Sequence, residues 1–175
     1  MFDESDNSKL TAQSQDQGVS VFDQISGLPV HILVIHAAVV FVPLLAIGAI
    51  VYAVVPRWRS RIGWAVISLS IITPIITLVA AESGEKLYDR LVANGISGKG
   101  KEMLDDHMGF GKTTFWFTLA LGVVTLVMTV LTLRGSVSKV VQLVLGAISV
   151  ILALIAGYYV FKTGDSGAHA VWGTY

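Results

Sequence analysis

Four long apolar stretches take up about half of this 175-residue chain, and none of them contains an acidic residue. They cover residues 28–55, 62–81, 114–133 and 140–161. A helix rises about 1.5 Å per residue, so about 20 residues cross a hydrocarbon core of about 30 Å. Each stretch is long enough to do so. The sequence therefore predicts an all-α integral membrane protein, a four-helix bundle whose helices follow one another as two tandem pairs.

The composition narrows the functions that such a protein can have. Hydrophobic residues make up 54% of the chain and charged residues only 14%, which suits lipid better than water. Lysine plus arginine and aspartate plus glutamate both number 12, so no basic excess points to nucleic acid. The chain has no cysteine, which excludes disulfides, iron–sulfur clusters, thiolate metal sites and covalently attached c-type haem. Any metal or cofactor must be held by histidine, carboxylate or backbone groups.

Basic residues in two short loops predict the orientation in the membrane. Residues 56–61 contain three arginines, and residues 134–139 begin with Arg134 and end with Lys139. Because basic residues close to a span are retained in the cytoplasm, both loops are expected there, with both termini outside. The loop at 82–105 carries more acids than bases, which fits the outer side.

The predicted organisation has three parts. They are an acidic tail at residues 1–22 that is expected to be disordered, a membrane domain at 23–162, and a Gly-rich outer tail at 163–175 that turns back over the bundle. Within the membrane domain, the spans are predicted at about 28–55, 62–81, 106–133 and 140–161, with an outer loop at 82–105. Inside this loop the pattern predicts a short surface helix at 86–93 that stops at Asn94-Gly95, and a helix from Lys101 that runs into the third span.

Small residues recur on one face of the fourth span. Ser149, Ala153 and Gly157 are four residues apart, a spacing that aligns them and lets a second helix approach closely. This packing stripe is expected to face either the interior of the bundle or a partner protein.

A weak internal repeat links the two halves of the chain. The first helix pair begins near His36 and ends in an acid-Ser-Gly element at 82–84, and the second begins near His107 and ends in the same element at 165–167. In membrane proteins, repeats of this sort often bring equivalent sites together where the halves meet.

All four histidines and both acid-Ser-Gly elements are expected on the outer side, so any chemistry is predicted there. Heights along each helix can be counted from the basic residue of the cytoplasmic loop next to it, at about 1.5 Å per residue. This count puts His36, Glu82 and Lys112 about 31 to 33 Å above those loops, with Lys162 at a similar height. A charge at this depth needs a partner. The layer is predicted to be either a polar plug that closes the bundle or a site for a ligand or proton.

A second layer lies higher. His31, His107 and Asp165 are 26 or 27 residues from the same bases, about 40 Å up. A b-type haem would be held between two helices by two imidazoles, and His31 matches His107 in height better than His36 does. A zinc or copper ion would be bound by His31, His107 and Asp165. His169, in the Gly-rich tail, is a further candidate ligand.

Four segments resemble a known family of bacterial membrane proteins. They are Leu28–Val40, similar to an LPxHPxxVH opening, Ala81–Glu85, similar to a small-Gly-Glu element, His107–Gly109, similar to the start of an H-x-x-G region, and Gly164–Trp172, similar to a GDSGAxxVW ending. On these segments the chain resembles domain-of-unknown-function family 2231 over about residues 28–173. Ile32 stands where that family usually has proline. The resemblance implies a four-span protein of the bacterial plasma membrane without an established activity, and relatives joined to Rieske-type domains suggest a respiratory association by analogy.

The function predicted from these features is that of a non-enzymatic membrane component, an accessory or structural subunit packed against a larger, respiratory complex. Its partners are then membrane lipid and other integral membrane subunits, with no nucleic acid and no cofactor. Two alternatives stay open. One is a haem b or metal-binding electron-transfer module built on the outer histidines. The other is a small transporter, for which the second to fourth spans offer only serine and threonine hydroxyls midway.

Overall fold

A computed structural model describes residues 24–25, 28–135 and 137–173, with side chains from residue 31 onward. Its main elements are four helices, α1 (Val30–Val54), α2 (Arg59–Ala93), α3 (Lys99–Leu133) and α4 (Lys139–Trp172). A 3₁₀ turn at Pro56–Trp58 joins α1 to α2, and two-residue strands, β1 (Gln24–Ile25) and β2 (Leu28–Pro29), pair antiparallel before α1. The predicted tail at 1–22 lies outside the described residues.

All four helices are long and apolar enough to cross a membrane. Their most apolar 18-residue windows have mean hydropathies between 2.1 and 2.6. The predicted all-α, four-span fold is confirmed. α2 and α3 have 35 residues each and α4 has 34, so each is about 50 Å long and exceeds the roughly 30 Å of hydrocarbon. The polar part of each lies at the same end of the bundle.

Two helix boundaries differ from the predictions. α2 does not stop at residue 81 but runs without a break to Ala93, so the separate surface helix predicted at 86–93 was wrong. α4 likewise continues to Trp172, and the turn expected in the Gly-rich tail was wrong. The glycines of that tail are helical, and at Gly167 the missing side chain makes room for a residue of a neighbouring helix.

The chain reverses direction between α2 and α3 in residues 94–98. Gly95 and Gly98 have φ angles of 94° and 58°, a left-handed conformation that glycine adopts at little cost. The helix stop predicted at Asn94-Gly95 is confirmed, because α2 ends at Ala93 and Asn94 follows as its cap.

The helices form a ring in which α1 packs against α2 and α4, and α3 packs against the same two helices. α1 and α3 are therefore diagonal neighbours. α1 begins next to His31, at what we call the histidine end of the bundle, and it ends close to Arg59, at what we call the arginine end.

The core of the ring consists of small and branched side chains. Leu45 of α1, Leu121 of α3 and Ala153 of α4 are buried together in it. α2 and α3 approach each other backbone to backbone, because a Cβ atom on Gly122 would come within 2.6 Å of the Ser70 carbonyl oxygen. Close approach of this kind is how helices associate in lipid, where hydrophobic burial does not drive them together.

The packing stripe of α4 lies mostly inside this core. Ser149 and Ala153 are buried, and Gly157 is partly buried with open space beside its Cα. Of the two orientations predicted for the stripe, Ser149 and Ala153 have the inward one. Ser149 and Ala153 therefore pack within the bundle.

Arg59 joins three helices at the arginine end. Its guanidinium donates to the carbonyl oxygens of Tyr52 (2.9 Å) and Ala53 (2.9 Å) in the last turn of α1, and to Oε1 of Gln142 on α4 (3.0 Å). Carbonyls at a helix C-terminus have no partner within the helix, and a cation is favoured beside them. Arg59 thus stabilises the bundle. It is also one of the three arginines of residues 56–61 from which the orientation was predicted.

Candidate functional site

The imidazole of His31, in the first turn of α1, rests on the backbone of α2. Its Nδ1 lies 3.0 Å from the Ala80 carbonyl oxygen and 3.4 Å from Oγ of Ser83. The Ser83 hydroxyl donates to the same carbonyl over 3.1 Å. A Cβ atom on Gly84 would lie 2.9 Å from Cε1 of the ring, so only glycine lets the imidazole lie this close to α2.

The imidazole of His107, on α3, rests on α4 in the same way. Its Nδ1 lies 3.0 Å from Oγ of Ser166, and the Ser166 hydroxyl donates to the Thr163 carbonyl oxygen over 3.0 Å. A Cβ atom on Gly167 would lie 2.9 Å from Cε1 of the His107 ring. Each histidine is therefore positioned by a carbonyl, a serine three residues later and a glycine directly after it.

This duplication corrects the predicted repeat in one respect. The first half was expected to begin at His36, but the residue equivalent to His107 is His31. The acid-Ser-Gly elements are the seats of the two rings, and their role was not predicted. The repeated acid-Ser-Gly element could have indicated the serine and glycine contacts. The contacts of the Ala80 and Thr163 carbonyls could not be predicted in this way, because every residue has a backbone carbonyl.

The hydrogen bonds indicate that Nδ1 carries a proton in both histidines. The Ala80 carbonyl oxygen can only accept, so Nδ1 of His31 must donate to it. The Ser166 hydroxyl gives its single proton to Thr163, so its oxygen accepts from Nδ1 of His107. Nδ1 therefore carries a proton in both rings, and no group in the described part of the chain hydrogen-bonds to either Nε2.

The two rings meet in a T-shaped contact at the histidine end. Their centroids are 6.2 Å apart and their planes are nearly perpendicular, at 83°. Because α1 and α3 are diagonal neighbours, the pair bridges the centre of the bundle, and both histidines are partly buried. The arrangement is two imidazoles that donate from Nδ1 and are held in defined orientations by neighbouring helices.

The other two histidines lie outside this pair. His36 is exposed, and its Nδ1 bonds to the carbonyl oxygen of Ile32 on its own helix (2.7 Å). His169 is also exposed, with Nδ1 2.9 Å from the carbonyl oxygen of Asp165 and 3.4 Å from its carboxylate. Each of these rings is bound to its own helix, so neither contributes to a site between helices.

The charged layer predicted around Glu82 does not form. Lys112 pairs with Glu85 over 3.5 Å and not with Glu82, which is exposed. Lys162 lies 5.5 Å from the ring centre of Phe110. Glu82 faces outward because Ser83 and Gly84, the next residues of α2, are buried against His31.

The predicted three-ligand metal site is also not assembled. Asp165 is exposed beside His169, one residue before the serine that faces His107. Among the described residues, no group of three or more His, Asp or Glu side chains is close enough together to hold a metal ion. The site consists of His31 and His107 without a carboxylate ligand.

Above the pair, the extensions of α2 and α3 are joined by polar contacts. Tyr88 of α2 donates a hydrogen bond to Asp105 of α3, and the carboxylate of Asp105 also binds Lys101 over 2.8 Å. All three groups lie beyond the histidine pair, on the helices that carry its seats. They hold the polar hairpin together next to the site.

Comparison with known proteins assigns the chain to a family. No curated protein and no solved structure shows significant similarity to the chain. A protein-family model described as a predicted membrane protein, DUF2231, matches residues 27–174. This range includes all four apolar helices and both histidine seats. The chain therefore belongs to the DUF2231 family of membrane proteins.

Proposed function

We propose that the protein is a metal-binding electron-transfer module of the bacterial plasma membrane, in which His31 and His107 together hold one metal centre, either an ion or a haem iron. The observation that carries this proposal is the facing pair of imidazoles, each seated on a carbonyl–serine–glycine element of a different helix. Of the functions predicted from the sequence, this is the one for which the described residues provide a built site.

The two acid-Ser-Gly elements and their carbonyls give each histidine the hydrogen bond at Nδ1 that a metal-binding histidine needs. A ligating imidazole usually donates its second ring N–H to a carbonyl or another acceptor, which fixes the tautomer and the orientation of the ring. Nδ1 of His31 and Nδ1 of His107 both do so, and within the described part of the chain no group bonds to Nε2 of either ring.

The separation of the rings suits one metal atom between them. A metal–imidazole bond is about 2.0 Å long, and a ring centroid lies about 1.2 Å from the ring nitrogen, so two ligands on opposite sides of one atom have centroids about 6.4 Å apart. The observed separation is 6.2 Å. With no further ionisable ligand assembled among the described residues, electron transfer is the chemistry we assign to such a centre, in preference to catalysis on a bound substrate.

The remaining expectations stay predictions. An accessory role in a larger complex is not supported by the packing stripe, because Ser149 and Ala153 are buried within the bundle. A transporter would need a polar path, and the buried polar groups of the membrane segments are Ser and Thr hydroxyls. We retain the orientation with both termini outside, which is supported by the arginines of the loop at 56–61 and puts the histidine end on the outer side.

Metal analysis and absorption spectroscopy of the purified protein test this proposal. After expression with sufficient metal and haem, we expect one metal atom per chain, lost in His31→Asn and His107→Asn. Asparagine keeps a donor near the position of Nδ1 but has no atom at Nε2, so the seat is disturbed little. The matched controls are His36→Asn and His169→Asn, which should retain the metal. A protein that neither contains nor takes up a metal or haem at the His31–His107 pair would contradict the proposal.

A further inference from the structure

We propose that one exposed face of α2 at the arginine end binds an anionic phospholipid. Arg57 and Arg61 bind the phosphate of the head group, and an acyl chain lies along α2 from Trp64 to Ile75. This face lies at the opposite end of the bundle from the histidine pair, so it does not depend on the metal centre proposed above. Three features of the described residues carry the assignment: the charge of the arginine end, the order of side chains along the face, and the length of its apolar part.

The arginine end carries positive charge without any acid. Residues 54–62 contain three arginines, residues 133–142 contain one arginine and one lysine, and neither segment has an aspartate or glutamate. Arg59 is bound to α1 and α4, but Arg57 and Arg61 are exposed, and neither forms an ion pair with another described residue. At the histidine end, by contrast, acids and bases are mixed and pair with each other. Charge complementarity therefore favours an anionic partner at the arginine end.

The side chains of this face follow the order of the parts of a phospholipid. The 3₁₀ turn leads directly into α2 with right-handed helical backbone angles at the junction, so Arg57 and Arg61, four residues apart, lie on one side. Trp64 follows three residues after Arg61 and is 73% exposed, and Ile71 and Ile75 continue the same face and are also exposed. Guanidinium groups bind phosphate oxygens, indole rings favour the membrane interface, and branched alkyl groups contact acyl chains. The face thus matches a head group, a glycerol region and a chain in turn.

The apolar part of the face has the length of one leaflet. Ile75 follows Trp64 by 11 residues, which is about 16 Å of helix, and half of a hydrocarbon core of roughly 30 Å is about 15 Å. The polar residue of this part, Ser68, donates its hydroxyl proton to the Trp64 carbonyl oxygen over 3.0 Å. It therefore presents no unpaired donor to an acyl chain. A soluble phosphate would contact only the arginines, whereas a phospholipid matches the whole face.

Native mass spectrometry of the full-length protein tests this surface. The protein in detergent is titrated with phosphatidylglycerol and phosphatidylcholine that carry the same acyl chains, and the bound lipids are counted. We expect one phosphatidylglycerol per chain to bind in preference to phosphatidylcholine, and equal binding of the two lipids would overturn the proposal. Glycerol 3-phosphate, which has the charged group without the chains, should not displace the bound phosphatidylglycerol. Displacement at equal concentration would show that a soluble phosphate is the ligand and would overturn the assignment to a lipid.

Charge variants locate the head group. Arg57→Gln and Arg61→Gln should each weaken phosphatidylglycerol binding about fivefold, and the double variant about 25-fold, the effect expected of single bases beside an anionic lipid. Arg57→Lys keeps the charge and should retain the preference for phosphatidylglycerol. The matched control is Lys139→Gln, which removes an exposed base at the same end but on α4 and should leave binding unchanged. A loss in Lys139→Gln as large as that in Arg61→Gln would show a general attraction to the basic end and would overturn the assignment to the α2 face.

A tryptophan variant tests the apolar part of the face. Trp64→Ala should weaken the retention of phosphatidylglycerol and keep its preference over phosphatidylcholine, because the indole contacts the lipid below its charged group. Trp116→Ala is the matched control, since Trp116 is also exposed but lies on α3. Unchanged retention in Trp64→Ala, or an equal loss in Trp116→Ala, would overturn the placement of the acyl chain along α2. All these side chains are exposed, so the variants should fold as the natural protein does, and thermal unfolding checks this.

Discussion

The imidazole of His31 faces that of His107 across the centre of the bundle, with ring centroids 6.2 Å apart and planes at 83°. The two residues come from α1 and α3, which are diagonal neighbours and share little direct packing. The contact between the two rings depends on the acid-Ser-Gly elements of α2 and α4. There each ring lies against a glycine, and its Nδ1 lies within 3.4 Å of a serine hydroxyl. The duplicated halves of the chain thus contribute equally to one site between them.

The glycine seats predict the effect of adding a methyl group. In Gly84→Ala or Gly167→Ala the new Cβ would lie 2.9 Å from Cε1 of the facing histidine, so the ring must move away from its helix. We expect metal affinity to fall by about 10- to 100-fold, as when a group that orients a ligand is lost. Chelator competition measures this fall while both histidines remain in place.

Gly164→Ala is the matched control for these variants. Gly164 lies in α4, three residues before Gly167, and a Cβ atom there meets nothing within 4 Å. Alanine is favoured over glycine in a helix by up to about 1 kcal/mol, so this variant should unfold at a slightly higher temperature and bind metal normally. Equal loss of metal binding in Gly164→Ala and Gly167→Ala would show that the effect is not due to the ring contact.

The sequence predicted the heights of some residues along the bundle and not their directions. Apolar length predicted four spans, and counting helix rise put His31 and His107 at one level, as their ring contact requires. The same count put Glu82 in a lower layer than His31, which was wrong, because Ala80 and Ser83 on either side of Glu82 contact the His31 ring. It put Asp165 level with the pair, yet Asp165 is exposed, because the rotation of a helix about its axis depends on packing with its neighbours. The extension of α2 to Ala93 was missed because a polar helix beyond the bilayer carries no signal in hydropathy.

The two serines should differ in their effect on the site. Oγ of Ser166 lies 3.0 Å from Nδ1 of His107, whereas Oγ of Ser83 lies 3.4 Å from Nδ1 of His31, which donates to the Ala80 carbonyl oxygen over 3.0 Å. Ser166→Ala should therefore weaken metal binding by about tenfold or more, and Ser83→Ala should weaken it less. Isothermal titration of the two variants in detergent compares them. A larger effect of Ser83→Ala would contradict the hydrogen-bond pattern.

The orientation can be tested with single cysteines, because the natural chain has none. Ser97 is exposed in the turn between α2 and α3, and Ser60 is exposed beside Arg59 at the opposite end of the bundle. With both termini outside, Ser97→Cys should react with a membrane-impermeant maleimide in spheroplasts, and Ser60→Cys only after the membrane is permeabilised. The reverse pattern would put the histidine end in the cytoplasm.

The arginine end predicts a stability difference between two neighbouring arginines. Arg59 donates hydrogen bonds to two carbonyls of α1 and to Gln142, whereas Arg57 is exposed. Arg59→Ala should lower the free energy of unfolding by about 2 kcal/mol, since hydrogen bonds to charged groups are worth about 1.5 to 3 kcal/mol each and these are only partly buried. Arg57→Ala should change it by less than about 0.5 kcal/mol. Unfolding in mixed micelles measures both, and equal effects would contradict the assigned role of Arg59.

The buried hydroxyls of α3 predict substitutions of opposite sign on one helix. Oγ1 of Thr118 is buried without a hydrogen-bond partner, whereas Oγ1 of Thr114 donates to the Phe110 carbonyl oxygen over 2.8 Å and lies 2.9 Å from Oγ1 of Thr163. A buried donor without a partner costs about 1 to 3 kcal/mol, so Thr118→Val should leave the bundle as stable or up to about 1 kcal/mol more stable. Thr114→Val loses bonded groups and should cost about 0.5 to 1 kcal/mol. Destabilisation by Thr118→Val as large as that by Thr114→Val would show that the Thr118 hydroxyl has a bonding partner in the membrane.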